Sequence, residues 1–247
     1  VVTKLAALIL LMVLGPVPLM AETCETMSFK ENSFDICTVD LTQDTLELFL
    51  YAPDGSPYGY FNTLNAALET KGKKLGFAMN AGMYHDDRAP VGYYLENGSE
   101  LQRVISSEGP GNFGLLPNGI LCLRGNRADV IETTRFLSQN PDCKSATQSG
   151  PMLVIDGKLH PRFLKHSTSR YVRNGVGTSA DGTQAIFAIS NNTINFYDFA
   201  LFFRDHLKLR NALYLDGNIS RMRAPSLSRN DLGFGALGPI IGVVTEK

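Results

Sequence analysis

Apolar and polar positions alternate along most of the chain, and the pattern is that of strands. Ser33–Asp40 and Thr45–Tyr51 each alternate, and the short polar-capped stretch Leu41–Asp44 between them predicts an N-terminal hairpin. Phe61–Thr70 instead sets Phe61, Leu64 and Leu68 on one helical stripe and stops at Lys71-Gly72. Leu75–Met79 is a strand that runs directly into Asn80-Ala81-Gly82-Met83-Tyr84. The dipeptide Asn97-Gly98 predicts a hairpin between Gly92–Glu96 and Leu101–Ile105, and Asn118-Gly119 predicts another joining Phe113–Leu116 to Ile120–Leu123. Pro151–Ile155 and Gln184–Ser190 are further apolar strands, each beside an Asp-Gly turn. Phe196–Leu209 is the strongest helical pattern, with Phe199, Phe202, Phe203 and Leu207 on one side and Arg204, Asp205 and Lys208 elsewhere. Ala212–Leu215 reads as a buried strand ending at Asp216-Gly217, and Pro239–Val244 as a closing strand. Together these elements predict an α+β domain with a large mixed or antiparallel sheet and a few helices.

The segment before these elements is of a different kind. Lys4 precedes the unbroken apolar run Leu5–Leu14, Gly15-Pro16 breaks it, and Ala21 before Glu22 offers a cleavage site. The run is shorter than the roughly 20 residues that span a bilayer. Residues 1–21 therefore read as a signal peptide and 22–247 as one exported domain, periplasmic or secreted, with no stable membrane anchor. All 4 cysteines, Cys24, Cys37, Cys122 and Cys143, fall in the exported part. They allow three pairings, of which Cys24–Cys37 with Cys122–Cys143 closes the shortest loops. A formal net charge of -1, with no charged blocks, gives no sign of a nucleic-acid partner.

Four glycine-containing junctions adjoin predicted strands: Asn80-Ala81-Gly82, Gln148-Ser149-Gly150, Asn174-Gly175-Val176-Gly177 and Asp216-Gly217. Glycine lets a backbone approach a ligand closely and frees neighbouring amides to donate. Asp216 stands out because Asn218–Arg223 shows no clean return strand, which argues against a simple hairpin turn there. A carboxylate at the end of a buried strand can be aimed into a cleft from a rigid support. A turn role remains open for Asp216, as do a cap for Asn80 and a surface ion pair for Arg173. His85-Asp86-Asp87 is an incomplete ligand set, and His160, His166 and His206 are scattered, so no metal site and no nucleophilic triad is legible.

Taken together, Asn80-Ala81-Gly82-Met83-Tyr84 with Pro90-Val91-Gly92, Ser149-Gly150-Pro151-Met152-Leu153, Arg173-Asn174-Gly175-Val176-Gly177 and Leu215-Asp216-Gly217…Ser220 resemble the phosphodiester glycosidase family. In that family the last motif usually carries more glycine and serine than the Asn218-Ile219 found here. The resemblance implies hydrolysis of a sugar 1-phosphodiester in a glycan or envelope polymer. Such a bond breaks at the anomeric carbon through an oxocarbenium-like transition state, and its leaving group is already an anion. That chemistry calls for a carboxylate on the sugar side, for which Asp216 is the candidate, and a cation for the phosphate, for which Arg173 is the candidate. Asn80 and Ser220 are the expected hydrogen-bonding residues. Gly82, Gly150, Gly177 and Gly217 are the expected close-approach positions. No cofactor is required by the sequence. The alternatives are a non-catalytic glycan-binding or anionic-polymer-binding protein and a phosphodiesterase assisted by a divalent metal.

Overall fold

The computed structural model describes residues 22–216 and 219–247. The expected signal segment 1–21 and Gly217 lie outside the described residues. The strands of the N-terminal half are β1 (Glu22–Phe29), β2 (Asn32–Asp40), β3 (Thr45–Phe49), β4 (Lys73–Asn80), β5 (Tyr94–Glu96), β6 (Ser99–Gln102), β7 (Gly119–Arg124) and β8 (Arg127–Glu132). Those of the C-terminal half are β9 (Ser145–Ser149), β10 (Met152–Ile155), β11 (Lys158–Leu159), β12 (Asn174–Thr178), β13 (Gln184–Ser190), β14 (Asn211–Tyr214), β15 (Met222–Ala224), β16 (Arg229–Asn230) and β17 (Ile240–Glu246). Three α-helices accompany them: α1 (Phe61–Glu69), α2 (Thr133–Gln139) and α3 (Phe196–Leu201).

The strands form three antiparallel sheets, and the α+β class is as the alternation predicts. A 7-stranded sheet has the order β1-β2-β13-β12-β14-β10-β11, and two 5-stranded sheets run β16-β15-β4-β17-β3 and β6-β5-β9-β7-β8. Period-2 alternation decides which side chains go where. Val39, Phe187, Ile189 and Leu213 of the large sheet meet Leu48, Phe77 and Met79 of the second sheet and Leu121 and Val130 of the third in a common core. Their neighbours Phe34, Ile36, Ile186, Ala188 and Tyr214 face the opposite way, under Phe199, Phe202 and Phe203. Each smaller sheet is likewise backed by one helix, α1 through Phe61, Leu64 and Leu68 and α2 through Phe136. Among the described residues no helix is long and apolar enough to cross a membrane.

Local patterns survive in part. Asn97 and Gly98 adopt φ of 50° and 81° and close the β5–β6 hairpin as expected. The pairings Cys24–Cys37 and Cys122–Cys143 are both formed. The expected hairpin of 33–40 with 45–51 is not. β2 pairs with β1 and β13, whereas β3 pairs with β17 in the second sheet. Asp40 and Asp44 accept backbone N–H bonds within the connection and turn the chain from one sheet to the next. Phe113–Leu116 is not a strand, and Ile120–Leu123 lies within β7, whose hairpin partner is β8. The Phe196–Leu209 helix is shorter than its pattern: α3 passes into a π-helical stretch, Phe202–His206.

β1 bridges two sheets. Its first residue, Glu22, reaches across to β4, where the carboxylate accepts the Phe77 N–H at 2.9 Å. Burial pushes the Glu22 carboxyl above the usual range, and the Asp44 carboxylate adds to that rise. The folded protein therefore holds a proton there more readily than the unfolded chain, a contribution present at low pH and lost as pH rises through the raised value. Glu22→Gln keeps an acceptor for Phe77 and removes the charge. It should raise the melting temperature at pH 7, with the gain shrinking below about pH 4, as thermal unfolding across a pH series would show. A second expected outcome concerns Gly177, where an added Cβ would lie 2.6 Å from Leu209 Cδ1 and 3.1 Å from the Asn211 carbonyl oxygen. Gly177→Val should cost about 1–3 kcal/mol by overpacking, measurable by denaturant unfolding.

Candidate functional site

The ends of β4 and β12 and the stretch following β14 meet at one edge of the core, and a pair of side-chain amides joins them. Asn80 and Asn174 are both fully buried. Asn174 Nδ2 donates to Asn80 Oδ1 at 2.9 Å, and the same oxygen accepts the Arg221 N–H at 2.8 Å. Asn174 Oδ1 accepts the Asp216 N–H at 3.0 Å. Asn80 thus touches Asn174 and Arg221, and Asn174 touches Asp216, although these residues are far apart in the chain. Asn80 Nδ2 has no hydrogen-bond partner among the described residues. A buried unpaired donor carries a desolvation penalty, which an acceptor on a ligand would relieve.

Asp216 is positioned through its backbone. Ser149 Oγ donates to the Leu215 carbonyl, immediately before it. Ser220 Oγ lies 2.9 Å from the Asp216 carbonyl oxygen and 3.1 Å from that of Val172. Ser220 therefore ties the Asp216 backbone to that of Val172. The carboxylate itself lies within electrostatic reach of two phenols. Burial raises the pKa of both Tyr84 and Tyr214, and Asp216 pushes each further up.

Arg173 immediately precedes Asn174, the first residue of β12. Its guanidinium stacks on Phe196, 3.7 Å from the ring centroid, with Tyr171 and Tyr214 each at 5.4 Å. Nε donates to the Ile194 carbonyl at 2.8 Å, Nη1 to the Tyr214 hydroxyl at 3.2 Å and Nη2 to the Ser169 carbonyl at 3.1 Å. The group is 1% exposed, and burial pulls its pKa down, yet an arginine remains a cation at any physiological pH. A surface ion pair is thereby excluded as its role. The open bidentate fork expected for it is also corrected, because three of its five N–H groups are engaged within the protein. Tyr214 links the two candidate residues, since its hydroxyl accepts from Arg173 and feels the Asp216 charge.

The remaining candidates fall into place around this edge or away from it. An added Cβ on Gly82 would lie 2.6 Å from the Gln148 carbonyl oxygen, so this glycine lets the loop after β4 pass close over β9. Gly150 is packed against Asn118 in the same manner. Gly177 is a sheet glycine beneath Leu209 and Phe203, where the helical segment needs room. It is not brought to the site. His160 is buried, stacks on Phe163 and is pushed down to about 4 by that burial; its Nδ1 accepts the Arg162 N–H at 3.2 Å. Among the described residues no three His, Cys, Asp or Glu side chains form a metal-binding group. Three residues that carry the arrangement, Asn174, Tyr214 and Arg221, have no role that the sequence alone assigns. For Asn174 a signal exists, its position beside Arg173 in a motif already singled out.

The three-sheet fold is matched elsewhere. The phosphodiester glycosidase family model matches residues 73–237. YigE of Escherichia coli strain K12 is 31% identical over 207 residues, spanning 83% of this chain and 80% of that protein. The chain belongs to the phosphodiester glycosidase family. Solved structures share the fold at low identity. The catalytic domain of zebrafish N-acetylglucosamine-1-phosphodiester alpha-N-acetylglucosaminidase, auto-inhibited by its pro-peptide, superposes with a TM-score of 0.60 at 12% identity over 90% of this chain and 81% of that one. A protein from Burkholderia pseudomallei K96243 assigned as exported gives 0.53 at 11% identity over 86% and 74%.

The amide bridge generates a prediction of its own. Asn174→Ala leaves the Asp216 N–H without its acceptor and removes the donor to Asn80. Stability should fall by about 1–3 kcal/mol, read from chemical denaturation. Asn174→Asp keeps an acceptor for Asp216 but cannot donate to Asn80 when ionised, so its penalty should be the larger at neutral pH.

Proposed function

We propose that this protein is an exported hydrolase that cleaves a sugar 1-phosphodiester, with a glycan or envelope polymer as the source of that bond. The observation that carries the reading is the convergence of Asn80, Asn174 and Asp216 on one edge of the core, with Arg173 held beside them through Tyr214. The family and the substrate class in the zebrafish enzyme's name support it. Two disulfides in a chain that opens with a signal-like segment support export.

Each group has a task in that reaction. The Asp216 carboxylate faces the anomeric carbon, where it activates water or stabilises the developing oxocarbenium charge. The departing phosphate monoester is a weakly basic anion and leaves without a strong general acid. Arg173 supplies the positive field for it, and that field is strong because the cation is held out of water. Its three internal bonds fix where that charge sits. Asn80 Nδ2 donates to a sugar hydroxyl or a phosphate oxygen.

Asp216→Asn preserves shape and removes charge, so kcat should fall on the order of 10²-fold or more with little change in KM. Steady-state kinetics on the methyl diester of N-acetylglucosamine 1-phosphate would read it; turnover near the native rate in this variant would take the acid out of the reaction. Arg173→Lys cannot hold three oxygens and a ring face at once. It should impair the diester in both kcat and KM while sparing a phosphate-free glycoside, and equal losses on both substrates would make the arginine structural.

A further inference from the structure

The segment Asp231–Gly238 follows β16, beside the Asp216 end of the site, and is held at three points. At its start, Asp231 Oδ2 accepts from the Met222 N–H at 2.9 Å and from Arg229. At its end, the fully buried Leu237 donates its N–H to the Gly59 carbonyl at 2.7 Å. Between these, the Arg221 guanidinium donates to the Gly235 carbonyl at 3.0 Å and to the Phe234 carbonyl at 2.8 Å. Arg221 itself is only 7% exposed, and its backbone N–H is the one bonded to Asn80. The loop is therefore tied through one residue to the amide bridge of the site. This tethered loop carries Phe234 and Leu232, 104% and 77% exposed. Large apolar side chains presented from a held backbone gain free energy when a ligand or partner covers them.

The loop's neighbours say which part of a substrate it meets. Tyr84 donates its hydroxyl to the Ala236 carbonyl at 3.4 Å, and its ring packs on Gly238, where no side chain would fit. The same tyrosine lies within electrostatic reach of Asp216. Arg173 is bounded instead by Ser169, Ile194 and Phe196, from other elements. The loop that carries the exposed ring is thus bonded to Arg221 and Tyr84, which adjoin Asn80 and Asp216, and shares no bond with the groups around Arg173.

We propose that Phe234 is a specificity-determining platform that covers the apolar face of the sugar ring bound at Asp216, and that Arg221 is the positioning residue that sets its height. The inference rests on the hydrolase reading for the identity of the ligand, and its test separates the two. The chain contains no tryptophan, so Phe234→Trp introduces a single indole at the platform. In an Asp216→Asn background, the methyl diester of N-acetylglucosamine 1-phosphate should shift or quench that emission saturably. With Asp216 intact, Phe234→Ala should raise KM for the diester about tenfold, the scale of uncovering one face of a sugar ring, with kcat largely retained. Arg221→Met should raise KM in the same way and weaken the emission response, whereas a merely structural arginine would lower the melting temperature and leave KM alone. Hydrolysis of the diester with no emission change and an unaltered KM in Phe234→Ala overturns the platform and leaves the hydrolase. Binding of the diester with an emission change but no turnover in the otherwise native protein keeps the platform and overturns the hydrolase. No binding of the diester by calorimetry overturns both. An emission change that follows protein concentration or anionic phosphatidylglycerol vesicles instead of the sugar assigns the ring to a second copy or a lipid surface, and likewise overturns the platform.

Discussion

Two buried side-chain amides hold the site together where backbone pairing cannot. β4 belongs to one sheet and β12 to another, so no ladder joins their ends. Asn80 and Asn174 replace it with side-chain bonds that also capture the N–H groups of Arg221 and Asp216. Asn80, Asn174 and Arg221 are buried and Asp216 is half-buried, so breaking the bonds among the first three would strand a partner away from water. Buried polar networks of this kind are stabilising only when nearly complete. Among the described residues, the one group of this network left over is Asn80 Nδ2.

The arginines of this protein divide by what neutralises them. Arg229 lies between Asp35 and Asp231, bonded at 2.7 Å and 2.9 Å, and ties β2 to β16. Arg127 and Arg135 pair with Asp129 and Asp156 at the surface. Arg173 and Arg221 instead direct their guanidinium hydrogen bonds to carbonyls and a phenol. Carbonyls and ring faces orient a guanidinium without cancelling its charge. Holding an uncancelled charge inside the protein in this way is costly.

Much of this was legible in the sequence because alternation and turn dipeptides are local. β4, β13 and β14 follow from their apolar runs, and Asn97-Gly98 fixes its hairpin through positive φ. Partner choice is not local. Leu41–Asp44 looks like a hairpin loop, yet it carries the chain between sheets: β2 pairs with β1 and β13, and β3 pairs with β17. The short return strand at Met222–Ala224 pairs with β4 and not with β14, in keeping with the lack of a clean hairpin after Asp216. The family motifs brought Asn80, Arg173 and Asp216 into view, but Arg221 lies outside them. Its role depends on a loop further along the chain, a relation that spacing cannot reveal. Gly177 errs the other way, since a glycine that admits a helix looks the same in sequence as one that admits a ligand.

The disulfides show what the site does not depend on. Cys24–Cys37 staples β1 to β2, and Cys122–Cys143 staples β7 to the approach of β9, each within a single sheet. Neither crosses between layers, and neither reaches the edge where Asn80 meets Asn174. The covalent staples and the polar edge are therefore independent fastenings: reducing either disulfide would leave the bond between Asn80 and Asn174 with its own partners.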